Sequence, residues 1–236
     1  MLTLAIDTAT KVCTVALCRD QKLLAEYTIN MGMTHSEGLL PQLEQLLQRT
    51  GIAKKEIDLL AVSMGPGSFT GLRIGLATAE AMAYSWQCCL HGVDTLKAMA
   101  YNIPLEGKVL SPVLDAQKGN FYQALYQWQF GKLIELEPVE VVSAERALER
   151  IALQGTPALL LGECNRLVKK GLPDWVQVAP EALRMPKGSS VAFAALEEFN
   201  PEADKKIFGL EPYYIRRSEA EELWEKRQQQ QYILER

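Results

Sequence analysis

Alternating apolar and polar positions and short apolar runs mark five predicted strands in the first hundred residues. These strands lie at residues 2–8, 11–18, 23–29, 58–64 and 89–93. The first three are joined by polar turns, which is typical of an antiparallel meander. Two segments with helical spacing, residues 36–50 and 68–86, precede and follow the fourth strand. The predicted order is therefore β-β-β-α-β-α-β.

The same order of elements begins again near residue 109. The segment IDTA at residues 6–9 aligns with LDAQ at residues 114–117 at an offset of 108 positions, so Asp7 and Asp115 are equivalent. An internal duplication of this kind describes the whole fold. We expect an α/β protein of two like lobes that face each other across a cleft.

The boundary between the lobes is predicted at the Pro-Leu-Glu-Gly stretch that begins at Pro104. This gives an N-terminal lobe of residues 1–104 and a C-terminal lobe of residues 105–236. After Asn165 the second copy becomes irregular. We expect a charged tail helix at residues 219–236 that frays at its end, and this tail could pack back on the first lobe.

The amino-acid composition excludes some classes of protein and argues against others. The chain has 236 residues, of which 48% are hydrophobic and 23% charged, so a mostly disordered chain is excluded. The net charge of -4 argues against a protein that grips nucleic acid by itself. The five cysteines include no C-x-x-C pair, and neither a leader peptide nor a membrane span is encoded, which indicates a cytoplasmic protein.

Two aspartates are candidates for cleft chemistry. Asp7 and Asp115 each lie where one strand turns into the next, and carboxylates there could hold a magnesium ion or position a phosphate. The alternative is that each aspartate only caps its turn through a hydrogen bond to the backbone. The sequence leaves both interpretations open. If nucleotide binding survives at this weak site, Asp7 and Asp115 are the residues expected to carry it.

The segment GPGSFTGLR, residues 65–73, joins the fourth strand to the second helix. Its glycine spacing is not that of a dinucleotide fingerprint, and it lacks the lysine of a P-loop. The favoured interpretation is a tight turn with Ser68 or Thr70 as the helix N-cap. An anion at this helix start is the alternative. The two histidines, His35 and His91, form no metal-binding pair, and each is expected to be a structural hydrogen-bonding residue.

The first two helices carry more apolar surface than one core-facing stripe needs. Small residues also recur at every fourth position of the second helix, which would let another backbone pack closely. We expect a partner-binding face on these helices, and the alternative is packing on the chain's own sheet. The residues assigned to this face are Leu39, Leu43, Leu46, Gly71, Gly75, Ala79 and Ala83.

Several segments together resemble the TsaB (YeaZ) family. They are LAIDTAT, MTHSEGLLPQLEQLL, GPGSFTGLRIGLATAEAMA, LDAQKGNFYQALY and EPYYIRRSEAE. The resemblance covers nearly the whole chain and implies the actin-like, Hsp70-like two-lobed fold. It also implies a cytoplasmic bacterial protein that pairs with its paralogue TsaD and with the ATPase TsaE. Together these proteins place a threonylcarbamoyl group on the adenosine next to the anticodon of ANN-decoding tRNAs.

The resemblance also implies that the chain is not an enzyme by itself. The catalytic paralogue carries an H-x-x-x-H metal pair, and Thr95 and Met99 stand at the matching positions here. No cofactor of its own is expected; ATP and a metal ion belong to the partner subunits. The chain would stabilise TsaD through its first two helices, contact tRNA only through the complex, and form a homodimer when alone. The rival interpretations are a small-molecule kinase or ATPase and, less favoured, an M22-type metallopeptidase.

Overall fold

A computed structural model describes residues 1–31 and 34–215, and all structural statements concern these residues. The tail helix predicted at residues 219–236, and its packing on the first lobe, lie outside the described residues.

The first five strands form one mixed sheet. Their bounds are β1 Leu2–Asp7, β2 Cys13–Arg19, β3 Lys22–Ile29, β4 Leu59–Gly65 and β5 Cys89–Asp94. The strand order is β3-β2-β1-β4-β5, with β1 antiparallel to β2 and parallel to β4. Helices α1, His35–Thr50, and α2, Phe69–Trp86, flank β4 in the chain, and α1 ends at Gly51 in the left-handed conformation. The predicted order of the first half is confirmed.

The second half repeats this arrangement. Its strands are β6 Val109–Asp115, β7 Phe121–Gln129, β8 Lys132–Val142, β9 Ala158–Gly162 and β10 Val176–Val178. The order β8-β7-β6-β9-β10 matches that of the first sheet strand for strand. Three helices follow its strands: α4 Ala144–Leu153, α5 Asn165–Lys169 and α6 Glu181–Arg184. The duplication inferred from the sequence is therefore confirmed.

Two further helices, counted in chain order as α3 and α7, lie between the sheets and are exchanged between the halves. Helix α3, Thr95–Ala100, comes from the first half and packs on β6 and β7. Helix α7, Gly188–Glu198, comes from the second half and packs on β1 and β2. The sequence pattern predicts neither helix. α3 is too short to show a period, and α7 is apolar around most of its circumference because it is buried between the layers.

Each face of the first sheet has its own core. Leu4 and Leu60 belong to the cluster under α1 and α2, whereas Ala5 and Ala16 face α7. Small side chains on that second face let α7 come close. A Cβ added to Gly188 would lie 2.8 Å from the Ala16 nitrogen, so the first residue of α7 has no room for a side chain. The tight packing of α7 ties the second half to the first sheet.

Candidate functional site: the first two helices and the turns after β1 and β6

The small residues of α2 face the chain's own first strand. A Cβ added to Gly71 would lie 2.0 Å from the Thr8 carbonyl oxygen, and one added to Gly75 would lie 2.3 Å from the Thr8 hydroxyl. Thr8 Oγ1 donates to the Gly71 carbonyl at 2.7 Å. Ala79 and Ala83 are fully buried in the core beneath. The assignment of this row of residues to a partner-binding face is therefore corrected, because the row packs on its own sheet.

The leucines assigned to the same face are also internal. Leu39, Leu43 and Leu46 are 1%, 3% and 0% exposed, and all three belong to the core between α1 and the first sheet. They form the one apolar stripe that a surface helix needs. The surplus apolar surface is real but lies elsewhere: Leu40 is 59% exposed, and Leu47 is partly buried. The assignment to a partner-binding face is therefore wrong for Leu39 and Leu46, whereas Leu43 also lines the groove between α1 and α2.

A groove runs between the outer faces of α1 and α2. Its volume is about 920 Å³. Most of its lining is apolar or small: Leu40, Leu43, Leu47, Ile52, Ala53, Ala77, Ala81, Met82 and Trp86. The charged groups are Glu44 and Lys54, and the Lys54 ammonium lies 6.0 Å from the centroid of the Trp86 ring. This groove, with Leu40 at its side, is the apolar feature that the two helices leave uncovered within the described chain.

The GPGSFTGLR segment forms a tight turn against the first strand's loop. A Cβ added to Gly67 would lie 2.3 Å from the Ala9 carbonyl oxygen. The Ser68 N–H donates to that oxygen at 2.6 Å, and Ser68 Oγ accepts from the Gly71 N–H at 3.3 Å. Ser68 is the N-cap of α2, so the interpretation as a turn with a serine cap is confirmed. Gly67 is required at its position because the Ala9 backbone passes so close.

Arg73, at the end of the same segment, makes a contact that sequence reasoning missed. Its Nε donates to the hydroxyl of Tyr214 at 3.0 Å, and its guanidinium carbon lies 3.9 Å from the centroid of the Phe69 ring. The two contact residues come from the GPGSFTGLR and EPYY segments. Both segments are among those that resemble the TsaB family, but nothing in either pattern shows that they touch.

The Asp7 carboxylate is shielded from solvent. It is fully buried, accepts from Ser63 Oγ at 2.5 Å and accepts from the Ala9 N–H at 2.9 Å. Burial raises its pKa, and the hydrogen bonds from Ser63 and Ala9 oppose that shift only in part. The bond to Ala9 is the contact expected of an aspartate that caps its own turn.

Asp115 occupies the equivalent turn but is open to solvent. Its side chain is 40% exposed, forms an ion pair with Arg166, and accepts from the Gln117 N–H at 2.7 Å. Its own N–H donates to Glu163 at 2.8 Å. The turn contact is thus present at both aspartates. A nucleotide or metal role for Asp7 and Asp115 stays a prediction.

Thr95 and Met99 lie in α3, at the junction of the two halves. Both are fully buried, and Thr95 Oγ1 accepts from the Gly65 N–H at 3.2 Å. A Cβ added to Gly162 of the second lobe would lie 2.8 Å from Met99 Cε. These side chains therefore fill the junction. Among residues 1–31 and 34–215, no three His, Cys, Asp or Glu side chains are grouped so as to hold a metal ion.

Both histidines make structural hydrogen bonds, as expected. His35 Nε2 lies 2.7 Å from the Thr10 carbonyl oxygen. His91 on β5 bridges Asp204, at 3.0 Å from Nδ1, and Glu198, at 3.3 Å from Nε2. Burial alone would lower the pKa of His91, but the two carboxylates together outweigh it and the pKa is raised. His91 thus connects the edge of the first sheet to the chain that follows α7.

The duplicated sheet and the exchanged helices define the actin-like, two-lobed class of fold. A structure described as YeaZ from Pseudomonas aeruginosa is similar to this chain with a TM-score of 0.71 and 25% identity, over 82% of this chain and 90% of that one. The sequence model of the family described as "TsaD: tRNA N6-adenosine threonylcarbamoyltransferase" matches residues 22–224.

The curated relatives identify the family within this larger group. The tRNA threonylcarbamoyladenosine biosynthesis protein TsaB of Bacillus subtilis is 32% identical over 95% of this chain and 98% of its own length. The protein of the same name from Escherichia coli is 30% identical over 96% of this chain and 98% of its own length. The chain belongs to the TsaB family, within the larger group that the TsaD sequence model describes. No helix in the described part of the chain has the length and apolar character of a membrane span.

Proposed function

We propose that the chain is an accessory subunit of the tRNA threonylcarbamoyl transferase complex and binds TsaD through the groove between α1 and α2. The observation that carries this proposal is the groove itself. It combines an exposed leucine, Leu40, with a mostly apolar lining that nothing in residues 1–31 and 34–215 covers. Apolar surface of this kind marks a protein interface or else favours aggregation.

The catalytic steps belong, in this proposal, to the partner. TsaD supplies the metal and TsaE the ATPase, while this chain holds TsaD in its active form. The buried Thr95 and Met99 support a non-catalytic role because neither can ligate a metal as histidine does. The acidic net charge of -4 supports contact with tRNA only through the complex. In the absence of TsaD we expect two copies to cover the same groove as a homodimer.

The test is a pair of leucine-to-glutamate variants. Leu40→Glu puts a charge at the side of the groove, where docking would bury it, and we expect binding to TsaD to weaken about tenfold or more. The matched control is Leu153→Glu on α4, since Leu153 is 74% exposed on the second lobe. This control should bind as the parent does. Isothermal titration of each folded variant into TsaD measures both affinities.

The outcome that contradicts the proposal is equal, tight binding of TsaD by the parent and Leu40→Glu. Absence of any binding by the parent would contradict it as well. Circular dichroism of the two variants confirms that each one folds. Because Leu40 is exposed in the isolated chain, its replacement should leave the unfolding free energy within about 0.5 kcal/mol of the parent.

A further inference from the structure

The chain that follows α7 returns along one side of α2. We call residues 207–214 the brace. The Leu90 N–H donates to the Asp204 carbonyl at 2.8 Å just before the brace begins. Within the brace, the ring of Phe208 lies 5.5 Å from that of Tyr84, and the Tyr213 N–H donates to the Met64 carbonyl at 2.7 Å. The brace thus meets α2 near its end and β4 near the start of α2.

The brace spans most of the length of α2. Phe208 meets Tyr84, and Tyr214 meets Phe69, whose ring lies 4.7 Å from its own. The two contact points on the helix are separated by about 22 Å at 1.5 Å per residue. The brace runs antiparallel to the helix, because Phe208 meets its C-terminal part and Tyr214 meets its first turn. The brace is not fully extended, since the Tyr214 N–H donates to the Pro212 carbonyl at 2.9 Å.

The contacts of the brace fall on one stripe of α2. Phe69, Arg73 and Tyr84 lie within about 60° of one another around the helix axis at 100° per residue. This stripe lies on another side of α2 from the row of small residues that faces the sheet. It is next to the groove-lining Ala77, which lies about 20° from Tyr84 on the same count. Helix α2 is therefore held by the sheet on one side and by the brace on another.

The end of the brace is fixed by Arg73. Its Nε donates to the Tyr214 hydroxyl at 3.0 Å while its guanidinium lies 3.9 Å from the Phe69 ring centroid and 5.8 Å from the Tyr214 ring centroid. A planar guanidinium makes a stacked contact and a directed hydrogen bond together, which a lysine ammonium does not reproduce. The three side chains therefore depend on arginine at this position.

We propose that the brace is a positioning element: the Arg73–Tyr214 contact holds the N-terminal half of α2 in place and so sets the position of Ala77 and Thr78, where the α2 wall of the partner-binding groove begins. The second half of this inference rests on the proposed function, whereas the first concerns the isolated chain. Arg73 and Tyr214 are positioning residues, since they act on the groove through the helix between them.

The test uses Tyr214→Ala, Tyr214→Phe, Arg73→Lys and the double variant Arg73→Lys with Tyr214→Ala. Hydrogen exchange of the amides of residues 73–80 is measured in the isolated chain, and affinity for TsaD by titration. We expect exchange in α2 to accelerate about tenfold in Tyr214→Ala and Arg73→Lys, with β1 unchanged. Tyr214→Phe, which loses only the hydroxyl, should fall between them and the parent.

Affinity for TsaD should fall about three- to tenfold in the same variants, and the double variant should be little worse than either single one because both remove one contact. The matched control is Arg146→Lys on α4, an exposed arginine paired with Glu149. It should change neither measurement.

Four outcomes are distinguishable. Faster exchange in α2 together with weaker binding supports the proposal. Unchanged exchange in folded variants overturns it, and faster exchange with unchanged affinity overturns its effect on the groove. If the parent itself fails to bind TsaD, the proposed function falls, and the exchange measurement alone decides whether the brace holds α2.

Discussion

Asp7 and Asp115 occupy equivalent turns of a duplicated fold in opposite environments. Asp7 is fully buried and bonded to Ser63, while Asp115 is 40% exposed and paired with Arg166. Both keep the same bond to the backbone two residues ahead. The duplication therefore preserves the turn, and the neighbouring chain decides whether the carboxylate meets solvent. In the first lobe α2 lies against Thr8, the residue after Asp7, and shields the turn from solvent.

Helix α2 covers the Asp7 turn because Gly71 and Gly75 let it lie close to Thr8. A substitution that prevents this close packing should have the largest effect on stability. Gly75→Leu places a side chain where even a Cβ would lie 2.3 Å from the Thr8 hydroxyl. We expect a loss of about 3 kcal/mol or more in the free energy of unfolding, because the helix and strand must separate. Urea denaturation measures this loss.

The matched control for that substitution is Ala77→Leu, two residues further along α2 on its exposed side. It should stay within about 0.5 kcal/mol of the parent. A Gly75→Leu protein as stable as the parent would show that α2 does not close the first turn. The comparison of the two aspartates would then lose its physical basis.

Replacing each aspartate by alanine should have the next largest effect, and the stability costs at the two positions should differ. Asp7→Ala leaves the Ala9 N–H and the Ser63 hydroxyl without their partner in a dry site, and should cost about 2 to 4 kcal/mol of unfolding free energy. Asp115→Ala should cost less than about 1 kcal/mol, because solvent replaces its exposed contacts. Equal costs at the two positions, by urea denaturation, would contradict the difference in environment.

The raised pKa of Asp7 predicts that the free energy of unfolding depends on pH. The folded-state pKa is raised above 3.8, so the folded protein binds this proton more tightly than the unfolded chain does. Stability from this group therefore falls as the pH rises from about 4 through the raised pKa. Asp7→Asn keeps the shape without the charge and should lack this fall. A parent and an Asp7→Asn variant with parallel stability curves over this pH range would contradict the assignment.

The first lobe is also joined to the later chain at its far edge, through His91. Its pKa is raised by Glu198 and Asp204, so its contribution is complete below about pH 6.5 and is lost as the pH rises through the raised pKa. Lys97, which pairs with Glu198, faces the same group. His91→Gln should lower the unfolding free energy by about 1 kcal/mol at pH 6 and by much less at pH 9. The same loss at both pH values would exclude a charged histidine.

The sequence predicts the strands, the large helices and the duplication because these features have clear periods. Its prediction for the partner-binding face is wrong at Gly75 and Leu39, which are buried within the chain. Small residues at every fourth position show that some backbone comes close, but not whether it belongs to the same chain. A surplus of leucines indicates exposed apolar surface without showing which leucine is outside. The structure assigns that place to Leu40.

Contacts between distant parts of the chain could not be predicted from the sequence for a similar reason. Arg73 and Tyr214 are separated by 141 positions, and nothing in the local pattern of either segment links them. Helix α7 is apolar on most sides, so it shows no stripe that a periodicity argument can detect. Both features arise because the second half of the chain folds back onto the first sheet.

The central claim is that this chain acts through the outer face of α1 and α2 and not through the turns that hold Asp7 and Asp115. Threonylcarbamoyl transfer to tRNA, reconstituted with TsaD and TsaE, tests it directly when run with the parent, Leu40→Glu, Asp7→Asn and Asp115→Asn. The account predicts no transfer by this chain alone, activity within a few-fold of the parent for both aspartate variants, and about a tenfold or greater loss for Leu40→Glu at limiting concentration. Full activity of Leu40→Glu, with a hundredfold loss in a folded aspartate variant, would contradict the account and place the function at the turns of Asp7 and Asp115.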